Sequence, residues 1–270
     1  MRRLFAAISV LCLMGSSANA GGPEVLRHSW AGPYMGLSVG HAWGTSRLSS
    51  ETQCPPAPGV GWNCSASLPG SEVNVEAMNA LGRGSVHPSE LTGALHGGLN
   101  WQSGNLVYGA EIDLGLLGLS ASRSGSGALP YNLATGITTI SNSIGIDWLM
   151  TARGRVGQVV GNAFVYATAG LAIAEVETTV SFRDQFGNQG QADASRSKVN
   201  LGWTLGAGAE WTLDRHWSFK GEYLYVDLGT ASSGRSIIKG RDFPSSSIQP
   251  ISGKADATAQ LLRLGLNYRF

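Results

Sequence analysis

The sequence predicts an all-β fold: an eight-stranded antiparallel transmembrane β-barrel with short periplasmic turns and long external loops. Three observations predict it. Apolar and polar residues alternate in eight segments, each long enough for the roughly 9–11 residues a tilted membrane strand needs. The connections alternate between tight turns and long Gly/Ser-rich stretches, an asymmetry typical of barrels in the bacterial outer membrane. Aromatic residues fall at the segment ends in two groups, as girdles at two membrane interfaces would. A secreted β-sandwich demands neither the girdles nor the loop asymmetry. After residue 20 no run of apolar residues is long enough for a helical span, and mean hydropathy is near zero.

Taken in order, Arg2 and Arg3 followed by the apolar run Leu4 to Met14 and the small residues Ala18-Asn19-Ala20 read as a secretory signal peptide over 1–20, cleaved before Gly21. The run is too short to anchor the chain in a membrane. Cys12 follows Leu11 rather than a small residue, so no lipid anchor is expected. Residues 21–31 form a periplasmic N-terminal segment and 32–270 the barrel domain. Removing Arg2 and Arg3 leaves 17 of the 19 bases against 18 acids, which gives no reason to expect nucleic acid. Cys54 and Cys64, close together in an exported chain, predict a disulfide that would stiffen the first external loop by about 2–3 kcal/mol.

The first strand, Pro33 to Trp43, alternates Met35, Leu37, Val39 and Trp43 with Tyr34, Gly36, Ser38, Gly40 and Ala42. An irregular stretch follows from Gly44 to Glu90. Leu91 to Trp101 and Leu106 to Leu116 flank the tight turn Ser103-Gly104-Asn105. Ile144 to Val156 sets Ile144, Ile146, Trp148 and Met150 against Asp147, Thr151, Arg153 and Arg155. Gly161-Asn162 turns into Ala163 to Val176, which is apolar on both faces and whose sides the pattern does not assign. Val199 to Thr212 alternates most cleanly, Asp214-Arg215 turns it, and Trp217 to Leu228 and Ala259 to Phe270 complete the set. An even strand count returns both termini to the periplasm.

Six segments carry a resemblance: W-x-G-P-Y-M-G-L-S-V-G-H-A-W-G from Trp30, L-N-W-Q-S-G-N-L-V-Y-G-A-E-I-D from Leu99, T-A-R-G-R-V-G from Thr151, G-W-T-L-G-A-G-A-E-W from Gly202, E-Y-L-Y-V-D-L-G from Glu222, and L-R-L-G-L-N-Y-R-F from Leu262. They resemble the Omp25/Omp31-like outer membrane proteins, the small-barrel porin family or outer membrane immunogenic proteins of alphaproteobacteria such as rhizobia and Brucella. The resemblance covers almost the whole mature chain apart from the external loops. It implies an OmpA-type barrel and an outer-membrane location, and it says little about activity. It also implies that the terminal Phe270 is the signal read by the outer-membrane barrel assembly machinery.

On the faces opposite the apolar ones lie Glu111, Asp113, Asp147, Glu210 and Glu222 with Arg153, Arg155, Lys220, Arg263 and Arg269. An eight-stranded barrel is only wide enough for its side chains to fill it, and buried charges there must pair. Inward glycines, among them Gly98, Gly115, Gly208 and Gly265, leave room for the long arms. The same ten charges fit two readings: a cross-linked plug that fixes strand register, or the lining of a narrow pore for small solutes.

Catalytic chemistry finds little support. His28, His41, His87 and His216 lie in irregular segments, on the apolar face or at a turn, and only His96 points into the lumen, without a serine and an acid placed beside it. No metal or cofactor motif is present, so none is expected. The first external loop could serve as an adhesin or receptor surface, and Arg235, Lys239 and Arg241 could contact lipopolysaccharide. The expected partners are outer membrane lipid, lipopolysaccharide and the assembly machinery, with a monomer the plausible state.

Overall fold

The computed structural model describes residues 29–53, 72–130, 137–185, 189–193, 198–233, 235–238 and 249–270. The signal peptide, His28, Cys54 and Cys64 with their pairing, Lys239 and Arg241 lie outside the described residues. In chain order the elements are β1 (Gly32–Thr52), α1 (Glu72–Gly82), β2 (Gly84–Val86), β3 (Ser89–Ser103), β4 (Leu106–Ala128), β5 (Ile137–Val160), β6 (Ala163–Asp184), β7 (Gln189–Asp193), β8 (Lys198–Thr212), β9 (Trp217–Ser232), β10 (Ser236–Ile238) and β11 (Gln249–Arg269).

Eight of these strands, β1, β3, β4, β5, β6, β8, β9 and β11, pair antiparallel with their neighbours in a ring. The ring closes where β11 pairs with β1, from Tyr34 opposite Arg269 to Thr52 opposite Ile251. Closure leaves no free edge in the bilayer, where an unpaired backbone group would cost several kcal/mol. The tight turns at Gly104 and Gly161 place those glycines at φ 61°, a conformation that other residues resist.

The predicted outward face holds wherever the wall crosses the membrane. Leu37, Leu95, Leu114, Val156, Leu205 and Leu264 all project outward. Trp101 stacks on Tyr108 and Trp211 packs on Phe219 at the short-turn end of the barrel.

Five wall strands continue well past the predicted ends, to lengths of 21–24 residues. Above the membrane their amphipathicity inverts. In β1 the outward series Met35, Leu37, Val39 gives way to Thr45, Arg47, Ser49, while inward Leu48 is buried. In β11 outward Leu262 and Leu264 give way to Lys254 and Asp256, with Ala255, Ala257, Ala259 and Leu261 buried inside. In lipid the outside must be apolar, whereas in water the barrel needs an ordinary apolar core. The polar outer faces are what made these extensions read as loops.

Strand β6 straddles the inversion, which explains its two apolar faces. Its even-numbered residues point inward, Phe164, Tyr166 and Thr168 below and Ala172, Ala174 and Val176 above. A bulge lies at the same level in β5. Asp147 and Trp148 stand opposite the single residue Glu175 of β6, and Leu117 and Gly118 of β4 stand opposite Asp147. An extra residue reverses the side-chain faces on one side of a bulge. Ile144 and Ile146 therefore point into the core rather than to lipid, and Asp147 points outward. Asp147 is exposed and does not join the lumen charges, a correction to the strict alternation read from the sequence.

The stretch from Gly44 to Glu90 is also more ordered than its composition suggests. Beyond the end of β1 it contains α1, which sits in the external mouth of the barrel. Asn79 Oδ1 accepts from the Thr52 amide at 2.8 Å, and Asn142 Nδ2 donates to the Gly82 carbonyl at 2.6 Å. Met78 is fully buried in a cluster with Leu129, Ile140, Val180, Phe182, Ile238 and Ile251. Glu72 in the first turn suits the positive end of the helix dipole.

Candidate functional site: the charged lumen

From the periplasmic end the lumen is filled in four layers. The lowest is a stopper that the N-terminal segment places inside the ring. Trp30 is 1% exposed, its ring centroid is 5.5 Å from that of Phe164, and Phe164 stacks on Tyr166 at 5.0 Å. The Trp30 amide donates to Gln102 Oε1 at 2.6 Å, and Asn100 Nδ2 donates to the Trp30 carbonyl at 3.1 Å. Arg269 closes over the other side, its guanidinium carbon 4.5 Å from the Trp30 ring centroid and its Nη1 donating to the Ser29 carbonyl at 3.0 Å.

Above the stopper the charges converge on Glu111 of β4. Its carboxylate pairs with Arg153 Nη2, with Lys220 Nζ at 2.9 Å and with Arg155 Nη1 at 3.5 Å, and it accepts from the Tyr34 hydroxyl at 2.7 Å. Glu222 ties the same bases together, at 3.0 Å from Arg153 and 3.3 Å from Lys220, and accepts from the Tyr166 hydroxyl at 2.9 Å. Arg155 also reaches Glu210 at 2.6 Å and donates from Nε to Asn100 Oδ1 at 2.9 Å. The Arg155 guanidinium lies 4.2 Å from the Tyr34 ring centroid, so a cation–π contact adds to the ion pairs. The third layer is Arg263, whose Nη1 donates to both Asp113 oxygens at 2.9 Å, beside His96 Nε2 at 2.7 Å from Asn267 Oδ1. The fourth is the apolar belt of Leu117, Leu119, Ile144, Ile146, Leu149, Leu224, Val226 and Leu261. The α1 cluster lies above it.

Of the ten charges predicted for the lumen, nine are buried there: Glu111, Asp113, Arg153, Arg155, Glu210, Lys220, Glu222, Arg263 and Arg269. Eight of them make ion pairs with one another, and Arg269 uses a carbonyl and an aromatic face instead. Tyr34, Tyr166, Asn100, Asn267 and Trp30 belong to the site although the charge pattern alone did not mark them. Tyr34 did lie opposite the apolar residues of the first strand, and that parity was the available signal. The glycines serve the tyrosines as well as the charged arms. A Cβ at Gly98 would stand 2.5 Å from the Tyr34 hydroxyl oxygen, one at Gly208 2.6 Å from that of Tyr166, and one at Gly115 2.6 Å from Arg263 Nη2.

The other predicted sites separate. His41 stacks on Trp43 outside the wall and His216 on Tyr268 at the periplasmic turn. Arg235 donates to Gln53 Oε1 at 3.1 Å at the external surface. Phe270 is exposed, its ring edge-on to Tyr268 at 5.2 Å. Among the described residues no group of three or more His, Cys, Asp and Glu is placed to hold a metal ion.

Comparison with known proteins agrees with this architecture. Residues 4–270 match the family described as outer membrane protein beta-barrel domain. The chain is 29% identical over 252 residues to the 31 kDa outer-membrane immunogenic protein of Brucella melitensis biotype 1, covering 90% of this chain and 84% of that one. It is 33% identical over 141 residues to the 22 kDa outer membrane protein of Rhizobium leguminosarum bv. viciae, covering 52% of this chain and 54% of that one. It is 25% identical over 244 residues to the 25 kDa outer-membrane immunogenic protein of Brucella abortus biovar 1, covering 90% and 81%. A closed ring of eight strands with an apolar exterior and a match across nearly its whole length place the chain in the outer membrane, as a member of the outer membrane β-barrel family of the Omp25/Omp31 type.

Proposed function

We propose that the protein is a structural barrel of the outer membrane, contributing to envelope integrity and surface display, with a lumen that is closed rather than conducting. The observation that carries this reading is the stack of lumen layers: Trp30 reaches Phe164, Asn100 and Arg269 across the ring, and Glu111 of β4 meets Lys220 of β9 on the opposite side. A narrow porin would need a continuous water path past the Trp30 stopper, the Glu111 network and the apolar belt. Eight of the nine buried charges are instead committed to one another, and Arg269 to a carbonyl and the Trp30 ring. An enzymatic role has less support still. His96 Nε2 is engaged by Asn267, and the acid opposite it in the register, Asp113, is held by Arg263.

A deletion strain tests the proposal. Complementation by the wild-type chain should restore tolerance to detergent and leave uptake of small solutes unchanged. Restored solute uptake as the main effect would favour the porin.

Lipopolysaccharide around the external half of the wall and the barrel assembly machinery are the partners this reading implies, acting on a monomer. Phe270 suits recognition by that machinery because it stays exposed at the strand end rather than packing inside. Deleting it should sharply lower the amount of folded protein in outer-membrane fractions while leaving refolding from urea into detergent intact. Equal membrane yields of the truncated and full chains would remove that role.

A further inference from the structure

A polar cleft opens on the outer surface of the wall just above the membrane band, where β1, β11 and β9 run side by side. Its volume is about 500 Å³, a size suited to a small ligand, and Thr45, Arg47, Tyr225, Asp227, Thr230 and Asp256 line it. It stands directly outside the aromatic pair Trp43 and Tyr223, whose ring centroids are 6.4 Å apart. On the outer face Trp43 is followed by Thr45 and Arg47, and Tyr223 by Tyr225 and Asp227.

A bulge builds the cleft. Leu228 and Gly229 of β9 stand opposite the single residue Ala257 of β11, between the pairs Asp227–Thr258 and Thr230–Asp256. Gly229 takes φ 66°, and its amide donates to Asp227 Oδ1 at 2.9 Å. Residues three apart on a strand ordinarily face opposite ways, but the extra residue turns both Asp227 and Thr230 into the cleft. Thr230 Oγ1 donates to Asp256 Oδ1 at 2.6 Å, and Thr258 Oγ1 donates to the Thr45 carbonyl at 3.0 Å. Tyr225 forms one wall, tilted against Trp203 at 5.4 Å.

This chemistry selects the occupant. Two carboxylates against one guanidinium leave the cleft anionic, which disfavours a phosphate. Asp227 and Asp256 each hold one oxygen with a bond inside the protein and have the second to offer. Acceptors, a guanidinium donor and an aromatic ring around one cleft are the complement of a pyranose, whose hydroxyls donate and accept and whose C–H face is apolar. We propose that the cleft binds one sugar of the lipopolysaccharide head group, its hydroxyls donating to Asp227 and Asp256 and its ring against Tyr225. The membrane's own glycolipid is favoured over a free saccharide because acyl chains lying along the apolar wall beneath hold the sugar at high local concentration. The inference rests on the proposed contact of lipopolysaccharide with the external half of the wall and gives that contact a site. It does not depend on whether the lumen conducts.

Native mass spectrometry of the refolded full barrel, with rough-type lipopolysaccharide added to the detergent, tests it. One molecule should stay bound per barrel. Asp227→Ala and Asp256→Ala should each weaken retention about tenfold, as the loss of a hydrogen bond to a charged group does. Asp147→Ala, which removes an exposed acid on the opposite side of the ring, should leave retention unchanged. Excess free core oligosaccharide should displace the lipopolysaccharide, whereas 1-palmitoyl-2-oleoyl-phosphatidic acid, anionic but without sugar, should not. Heat-modifiable gel migration checks that every variant is folded. Tighter retention after either cleft substitution, or displacement by the phosphatidic acid, would mean a phosphate against Arg47 and would overturn the sugar site. Equal retention by all variants would overturn the site while leaving lipopolysaccharide a general neighbour of the wall. No retention by the wild-type barrel would remove both.

Discussion

Replacing Glu111 by alanine is expected to cost the barrel about 3–5 kcal/mol, the largest effect of any single lumen substitution. The carboxylate answers three bases, Arg153, Arg155 and Lys220, together with the Tyr34 hydroxyl, and all four are buried. Truncation leaves those cations facing one another without access to water. Glu222 and Glu210 are already engaged by the same bases and can answer only part of the surplus charge. Urea unfolding of the protein refolded into lipid vesicles, read by gel migration, measures the loss. The external pair Lys254–Glu51, at 2.8 Å but with both side chains about half exposed, is the contrasting case. Breaking it should cost about 0–1 kcal/mol, because water screens the charges and solvates whichever is left. Equal effects at the two positions would show that the lumen is wet enough to screen its charges, contrary to a packed plug.

Leu114→Arg should destabilise or block insertion by about 2–4 kcal/mol, the cost of a cation near the bilayer midplane on a barrel's lipid face. Leu114 projects outward in β4, midway between the periplasmic girdle at Tyr108 and the polar outer face that begins at Ser120. Ser124→Arg, on the same strand above the membrane, should be tolerated within about 0.5 kcal/mol, as exposed surface substitutions usually are. Comparing the two by the same unfolding assay locates the edge of the apolar band along β4. Similar costs at both would mean that the inversion of faces does not mark the membrane boundary.

That inversion also decides what could be read from the sequence. Where the wall crosses lipid, outward apolar residues and inward polar ones alternate simply, and Leu262 to Phe270 or Val199 to Trp211 can be assigned side by side. Outside the membrane the same backbone continues with the faces exchanged. A pattern that expects apolar residues outside then sees Thr45, Arg47 and Ser49 as the start of a loop. Ala163 to Val176 could not be assigned because it spans the exchange. The bulge at Asp147 and Trp148 misled for another reason: one extra residue shifts parity with no change in composition, so Asp147 looked like a lumen acid. Nine of the ten lumen charges were legible because a charged residue with inward parity in the bilayer has nowhere else to go. Trp30 and α1 were not legible, since neither belongs to the alternating wall. Each enters the lumen from an end, and only the folded ring shows the space it fills.

The central claim is that a ring of eight strands closes around a lumen filled from side to side. Planar-bilayer recording of the purified, refolded protein tests it most directly. The filled lumen predicts a flat baseline without stable unitary openings over long recordings, under conditions where gel migration shows the protein folded. Reproducible, long-lived openings of uniform size, altered by substitution at Glu111 or Arg155, would contradict it and make the charged network the lining of a pore.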